Sequence, residues 1–282
     1  MGHATNASIG LCLALLVATP FPARAEGELS ALAERTSPAV VLLTAEDAAG
    51  NKIGTGTGFF VSHDGRLVTN HHVIEGAAGI TATLSDGTKR RVQGTLADDK
   101  ENDIAILKVE VEKVPALTLG DSSKLKPGDE VVVIGSPLGL SSTLTVGIVS
   151  AIRTQGVPAP GDDKPNEKAR SWGIQISAAI SPGSSGSPIM KRDGEVVAVA
   201  VGALVGGQAQ SLNFGVPIEV TKGMLEKLGP NAAVQSFEVA AKSELWKNLL
   251  ISGGVIGALA IAFLLWGRLE ARQEMRRKPR RR

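Results

Sequence analysis

Short apolar runs of three to six residues recur through positions 26–228, each closed by a turn-forming or charged cluster. They fall at Val40–Leu43, Gly58–Val61, Arg66–Val68, Ile80–Leu84, Ile104–Val109, Glu130–Ile134, Leu144–Val149, Ile174–Ile176, Val196–Val201 and Leu212–Val216. Some alternate apolar with polar, the two-residue period of a strand with one wet face. Others are apolar throughout, as a strand buried on both faces must be. Asp64-Gly65, Asp86-Gly87 and Asp193-Gly194 sit between such runs, and Asp-Gly is the strongest short-range hairpin signal. The pattern predicts about ten to twelve short strands, arranged as two small barrels or one large sandwich. Short helices are expected at Leu29–Glu34 and Pro217–Leu228, a joint between two halves at Lys124–Gly128, and an exposed Pro-rich polar loop over 156–171.

Composition agrees with a β protein. The 282 residues include 33 Gly and 14 Pro, 3% aromatics and no Tyr, while 43% hydrophobic and 21% charged residues are ordinary for a globular core. No Gly-X-Y period, heptad series or charge-only tract runs through the chain, which excludes collagen, coiled coil and long disorder. The formal charge of +2 divides unevenly. The first 25 residues carry only Arg24, residues 267–282 carry eight Lys/Arg against two Glu, and the stretch between is left at −5. A nucleic-acid binder concentrates positive charge on its folded domain, so nucleic acid is excluded as a partner.

Both ends read as addresses. An apolar run from Ile9 to Val17, then Thr-Pro-Phe-Pro and Ala23-Arg-Ala25, predicts a secretory signal peptide at 1–25, although its leading region lacks Lys and Arg. Cys12 lies inside that run, so cleavage leaves no cysteine and excludes disulfides and thiol catalysis. Near the other end Leu249 to Trp266 is uncharged, and at 1.5 Å per residue it nearly matches a hydrocarbon core of ~30 Å. Trp246 and Trp266 bracket it, and Arg268 opens a basic tail. We therefore expect a linker at 229–247, a transmembrane helix at 248–267 and a cytoplasmic tail at 268–282, with everything before Lys247 outside the cytoplasm. The lipid bilayer is thus a predicted partner, and Gly253 and Gly257 have the spacing of a helix-dimer face.

Three short segments carry the candidate chemistry: Val68-Thr-Asn-His71-His72-Val73, Asn102-Asp103 leading an apolar strand, and Ile180-Ser-Pro-Gly183-Ser184-Ser185-Gly186-Ser187-Pro188. Serine acyl transfer needs a hydroxyl, an imidazole to take its proton and a carboxylate to hold the imidazole's tautomer. Here the order along the chain is His, Asp, Ser, each at a strand boundary. The segments resemble the protease domain of the bacterial HtrA/Deg serine endopeptidases, within the chymotrypsin-like superfamily. Further matching stretches are Gly54-Thr-Gly-Thr-Gly-Phe-Phe-Val61, Ile134-Gly-Ser-Pro-Leu-Gly139, Thr145-Val-Gly-Ile-Val-Ser150 and Asn213-Phe-Gly-Val-Pro217.

The resemblance implies an all-β fold of two chymotrypsin-like six-stranded β-barrels with short helices, at about 36–123 and 128–217 within a domain at 26–228, followed by the transmembrane helix. It places the base on His72, with His71 as the competitor in a variable slot, the acid on Asp103 rather than Asp98 or Asp99, and the nucleophile on Ser185. The backbone N–H groups of Gly183 and Ser185 are expected to form the oxyanion hole. Ser184 stands where the pattern has Asn, and Ser187 where it has a second Gly; a glycine-only backbone angle at 187 would strain a serine. Ala179, six residues before the nucleophile, is expected at the base of the first specificity pocket, favouring cleavage after small or medium apolar residues. Leu212, Asn213 and Phe214 are expected to pair with the substrate backbone.

Polypeptides, unfolded ones above all, are the implied substrates, and no cofactor or metal is implied. Family members commonly form trimers and carry a PDZ domain after the protease. Only Pro230–Lys247 separates this domain from the expected anchor, too short for such a module. The family resemblance makes the expected location the periplasmic face of a bacterial inner membrane. Two other functions share these features: a catalytically silent HtrA-like binding or chaperone module on the membrane, and a membrane scaffold, which gives the triad no reason to exist.

Overall fold

A computed structural model describes residues 24–136, 143–153, 173–203, 212–229 and 232–237. The expected signal peptide to residue 23, the expected anchor and tail beyond 237 and the whole of the 156–171 loop lie outside the described residues. Among the described residues no helix is long and apolar enough to cross a membrane.

Six strands close the first barrel: β1 (Val40–Glu46), β2 (Lys52–Phe60), β3 (Arg66–Thr69), β4 (Gly79–Thr83), β5 (Lys89–Asp99) and β6 (Ile104–Val109), in the order β1-β2-β3-β6-β5-β4. Six more close the second: β7 (Glu130–Gly135), β8 (Thr143–Ile152), β9 (Ile174–Ile176), β10 (Pro188–Met190), β11 (Val196–Ala203) and β12 (Asn213–Pro217), in the order β10-β11-β12-β9-β8-β7. Of the two architectures the strand pattern allowed, it is therefore the paired barrels. All three Asp-Gly pairs form the turns they predicted, with Gly65, Gly87 and Gly194 at φ +90, +81 and +93, a region open to glycine at little cost.

The continuous apolar runs have a direct cause. On β6, Ala105, Leu107 and Val109 point into the first barrel, while Ile104 and Ile106 join a cluster shared between the barrels. On β7, Val131 and Val133 fill the second barrel, while Val132 and Ile134 face that same shared cluster. Phe59, Val68, Met190, Val199 and Phe214 belong to it as well, so the contact between barrels is itself a hydrophobic core.

Two helices flank the second barrel. Helix α1 (Arg24–Thr36) is longer than the predicted Leu29–Glu34 and spans the expected cleavage point after Ala25. It buries Leu32 in the shared cluster, and Arg35 Nη2 donates to the Asp193 carbonyl at 2.9 Å. Helix α3 (Ile218–Lys227) matches the predicted 217–228 segment and seats Ile218 in the same cluster. The chain between the barrels passes through a 3-10 turn at Ser122–Lys124 and Gly128 at φ +98, where the joint was expected.

Residues 232–237, expected as plain linker, instead return to the first barrel. Gln235 exchanges two main-chain hydrogen bonds with Thr95 of β5, both 2.9 Å, and Phe237 is buried in the first barrel's core. Gly94 makes this possible: a Cβ there would lie 2.2 Å from the Gln235 carbonyl oxygen.

Candidate active site

The end of β3 runs through Asn70 into helix α2 (His71–Ile74), a single turn. The two histidines thus sit about 100° apart on a helix. Asp103, just before β6, is 2% exposed and gives both carboxylate oxygens to one residue. Its Oδ1 accepts the His72 amide at 2.9 Å, and its Oδ2 lies 2.8 Å from His72 Nδ1. That contact holds the Nδ1 proton toward the carboxylate and leaves Nε2 as the basic nitrogen; the His72 side chain is 40% exposed. Asn70 donates from Nδ2 to the Asp103 carbonyl at 2.9 Å. Among the described residues Asp103 is the one non-glycine with positive φ, +58. Aspartate tolerates this region better than most residues, and strain of this kind gathers at functional sites.

His71 is engaged elsewhere. Its Nδ1 lies 2.8 Å from Asp98 Oδ1 and its Nε2 3.8 Å from Glu75 Oε1. Lys100, 3.3 Å from Glu75, and then His71 hold the Glu75 carboxyl below its ordinary value. The two neighbouring histidines therefore face separate carboxylates, His71 those of Asp98 and Glu75 and His72 that of Asp103, and only His72 reaches the buried one.

The Ser185 turn comes from the second barrel and is fastened to the first. Thr57 on β2 donates its amide to the Ser185 carbonyl at 2.8 Å and its hydroxyl to the Gly183 carbonyl at 2.7 Å. A Cβ built on Gly56 would meet the Val73 side chain at 2.6 Å and the Ser185 carbonyl at 3.2 Å, so the residue after His72 and the Ser185 backbone converge on one point. Ser185 is half-buried, and its hydroxyl makes no hydrogen bond to His72 among the described residues. Such bonds are often long in enzymes without substrate and tighten when it binds.

Within the turn Ser184 N donates to Ser181 O at 2.9 Å, Gly186 N to Ala200 O at 2.8 Å and Ser187 N to Ser184 O at 3.0 Å. The amides of Gly183 and Ser185 donate to nothing among the described residues. Gly183 and Gly186 hold positive φ, +95 and +86, whereas Ser187 does not. The serine at 187 thus needs no glycine-only angle. Its Oγ is buried without a partner among the described residues, in space left by Gly135, where a Cβ would come within 2.4 Å of it.

The residues expected to bind substrate are placed differently. Ala179 is exposed, and its carbonyl accepts the Thr145 hydroxyl at 3.0 Å. Asn213 and Phe214 do not form an edge. On one side Asn213 pairs with Ile176 and Phe214 with Gln175 of β9, and on the other Asn213 pairs with Ala203 of β11. The Asn213 side chain is buried on the Ala178 carbonyl at 2.7 Å, and Leu212 precedes the strand. The unpaired edge belongs to β11: beyond Ala200, whose amide and carbonyl serve Ser187 and Gly186, residues 201–203 have no β10 partner among the described residues. Among the described residues no group of three or more His, Cys, Asp or Glu is placed to hold a metal.

Sequence reading missed Thr57, Asn70 and the β11 edge. A hydroxyl set between glycines in Gly56-Thr57-Gly58 was the sole signal for the first, and only strand order reveals the last.

The chain is similar to known proteins. The family model described as a trypsin-like peptidase domain matches residues 56–199. A putative serine protease, HhoB of Synechocystis sp., is 41% identical over 71% of this chain and 47% of its own length. A probable periplasmic serine endoprotease, DegP-like, of Marinomonas sp. is 36% identical over 72% of this chain and 39% of its own. The chain therefore spans less than half the length of these relatives. The solved structure of HtrA-type protease AlgW with tripeptide superposes with a TM-score of 0.60 at 29% identity, covering 70% of this chain and 62% of that one.

Proposed function

Because the chain belongs to the trypsin-like peptidase domain family, in its HtrA/DegP branch, we propose that it is a serine endopeptidase in which His72, Asp103 and Ser185 act as one triad. The observation that carries this reading is the His72–Asp103 pair, with both oxygens of a buried carboxylate committed to one histidine, standing beside a serine turn with two uncommitted amides. Ser185 Oγ attacks the scissile carbonyl carbon while His72 Nε2 takes its proton. The C–N bond then breaks as that proton passes to the leaving amine, and water repeats the sequence to free the acyl group. The N–H groups of Gly183 and Ser185 receive the negative oxygen. Asp103 keeps the imidazole in the tautomer that presents Nε2.

The substrate backbone pairs with the open edge at 201–203 of β11 rather than with Leu212–Phe214. Ala179 leaves the neighbouring pocket without an acid, which suits small or medium apolar residues before the cut bond. The uncharged Leu249–Trp266 run with its basic tail supports a membrane anchor that holds the domain on the extracytoplasmic side.

The test is labelling by a fluorophosphonate together with cleavage of unfolded casein, comparing the whole chain with Ser185→Ala. Labelling and cleavage by the unsubstituted chain alone agree with a peptidase. If neither protein reacts, the triad is silent and the binding-module reading replaces this one. Ser187 lies outside the positive-φ region, which supports an unstrained turn at that residue.

A further inference from the structure

Thr57 belongs to the first barrel, yet it spends each of its polar atoms on the serine turn or on what abuts it. Its amide donates to Ser185 O at 2.8 Å, its hydroxyl donates to Gly183 O at 2.7 Å and accepts from Ser136 N at 3.1 Å, and its carbonyl receives the Thr69 hydroxyl at 2.7 Å. Thr57 is fully buried, so water does not compete for these bonds.

Their effect follows from which peptide planes they hold. The 183–184 peptide is bonded at both ends, its carbonyl by the Thr57 hydroxyl and its amide by Ser181 O. The 185–186 peptide is likewise bonded at both ends, by the Thr57 amide and by Ala200 O. The Ser185 N–H lies on the 184–185 plane between these two and the Gly183 N–H on the 182–183 plane just before them, and neither donates to any of the described residues. One of the two restraints from β2 is main chain and survives any substitution. The other is the hydroxyl, and it acts on Gly183, which at φ +95 and without a Cβ is the freest residue of the turn to rotate.

We propose that the Thr57 hydroxyl is a positioning group for catalysis: it locks the 183–184 peptide and thereby aims the Gly183 N–H at the developing oxyanion. The inference rests on the peptidase reading above and adds the residue that sets its oxyanion hole.

Thr57→Val keeps the side-chain shape and deletes the hydroxyl, while Thr57→Ser keeps the hydroxyl. Deleting an oxyanion donor outright costs ~10²–10³-fold in kcat, and a donor left in place but misaimed loses part of that. On a fluorogenic peptide with Ala or Val before the cut bond, kcat of Thr57→Val is expected to fall ~10–100-fold with KM within ~3-fold, and Thr57→Ser to remain within ~3-fold of the unsubstituted chain. Circular dichroism confirms that each variant is folded. If Thr57→Val does not fold, Thr57→Ala is compared with Thr57→Ser in the same way.

Retained kcat in the folded hydroxyl-free variant overturns the proposal, as does a loss confined to KM or an equal loss in Thr57→Ser. Failure of both hydroxyl-free variants to fold also overturns it, by assigning Thr57 to the fold alone. An unsubstituted chain that cleaves nothing, or a Ser185→Ala chain that cleaves equally well, refutes the peptidase reading instead, so the two failures are told apart.

Discussion

At the site, each functional group is held by one or two identifiable contacts, so single substitutions have distinct signatures. Asp103→Asn retains the shape but no longer sets the imidazole's tautomer, and kcat is expected to fall roughly 10⁴-fold, as when a triad aspartate becomes asparagine elsewhere. Substitution of Asp98, which serves His71 alone, should leave turnover within ~3-fold in the same peptide assay, since it removes no group that touches substrate. A second prediction concerns Gly135 and Ser187. Gly135→Ala places a Cβ 2.4 Å from the Ser187 Oγ and should destabilise the protein by about 1–3 kcal/mol in urea unfolding. Ser187→Ala removes a buried hydroxyl that has no partner, so it should cost little alone and suppress most of the Gly135→Ala loss; additive effects would contradict this pairing. The sequence singled out His72, Asp103 and Ser185 through the residues that flank them at strand ends, and the fold places Asp103 on His72. Thr57 and the β11 edge were not legible there, because a hydrogen bond between residues 126 positions apart and an unpaired strand edge leave no local periodicity to read.

Among the elements, legibility follows the length and continuity of the apolar run. Strands apolar on one or both faces stand out, whereas β5, Lys-Arg-Arg-Val-Gln-Gly-Thr-Leu-Ala-Asp-Asp, has an interrupted apolar face and two bulges, and β10 is three residues long and follows directly on the serine turn. Both escaped the hydrophobic pattern and were recovered only by pairing. The 232–237 segment was hidden for a similar reason: one buried aromatic among small and polar residues carries no period. Phe237→Ala should destabilise the first barrel by about 3 kcal/mol. Gly94→Ala should release the same segment, because its Cβ overlaps the Gln235 carbonyl; faster proteolysis between 229 and 237 in both variants is the measurement. At the β2–β3 hairpin, the Ser62 hydroxyl and then Lys108 and Arg66 hold the Asp64 carboxyl below its ordinary 3.8. A group depressed by folding stabilises the native state above its unfolded value and loses that contribution as pH falls through the native one. The Tm of Asp64→Asn should therefore lie below that of the unsubstituted chain at neutral pH, with the gap narrowing as pH falls below the ordinary 3.8; a gap independent of pH would contradict a carboxylate held ionised by Ser62, Lys108 and Arg66.

For the molecule as a whole, the two barrels divide the labour. In the proposed mechanism the first supplies base and acid and the second supplies nucleophile and oxyanion amides, while a shared apolar cluster with the Thr57 bonds fixes one barrel against the other. Neither barrel holds a complete site, so the central claim is that groups from both act as one. The most direct test is the rate constant for fluorophosphonate attachment to Ser185, located by peptide mapping, in the unsubstituted chain, His72→Ala and His71→Ala. The account predicts rapid attachment at Ser185, a fall of ~10³-fold or more in His72→Ala, and a rate within ~3-fold of the unsubstituted chain in His71→Ala. Equal losses in both histidine variants, or attachment at Ser185 that does not depend on His72, would contradict it.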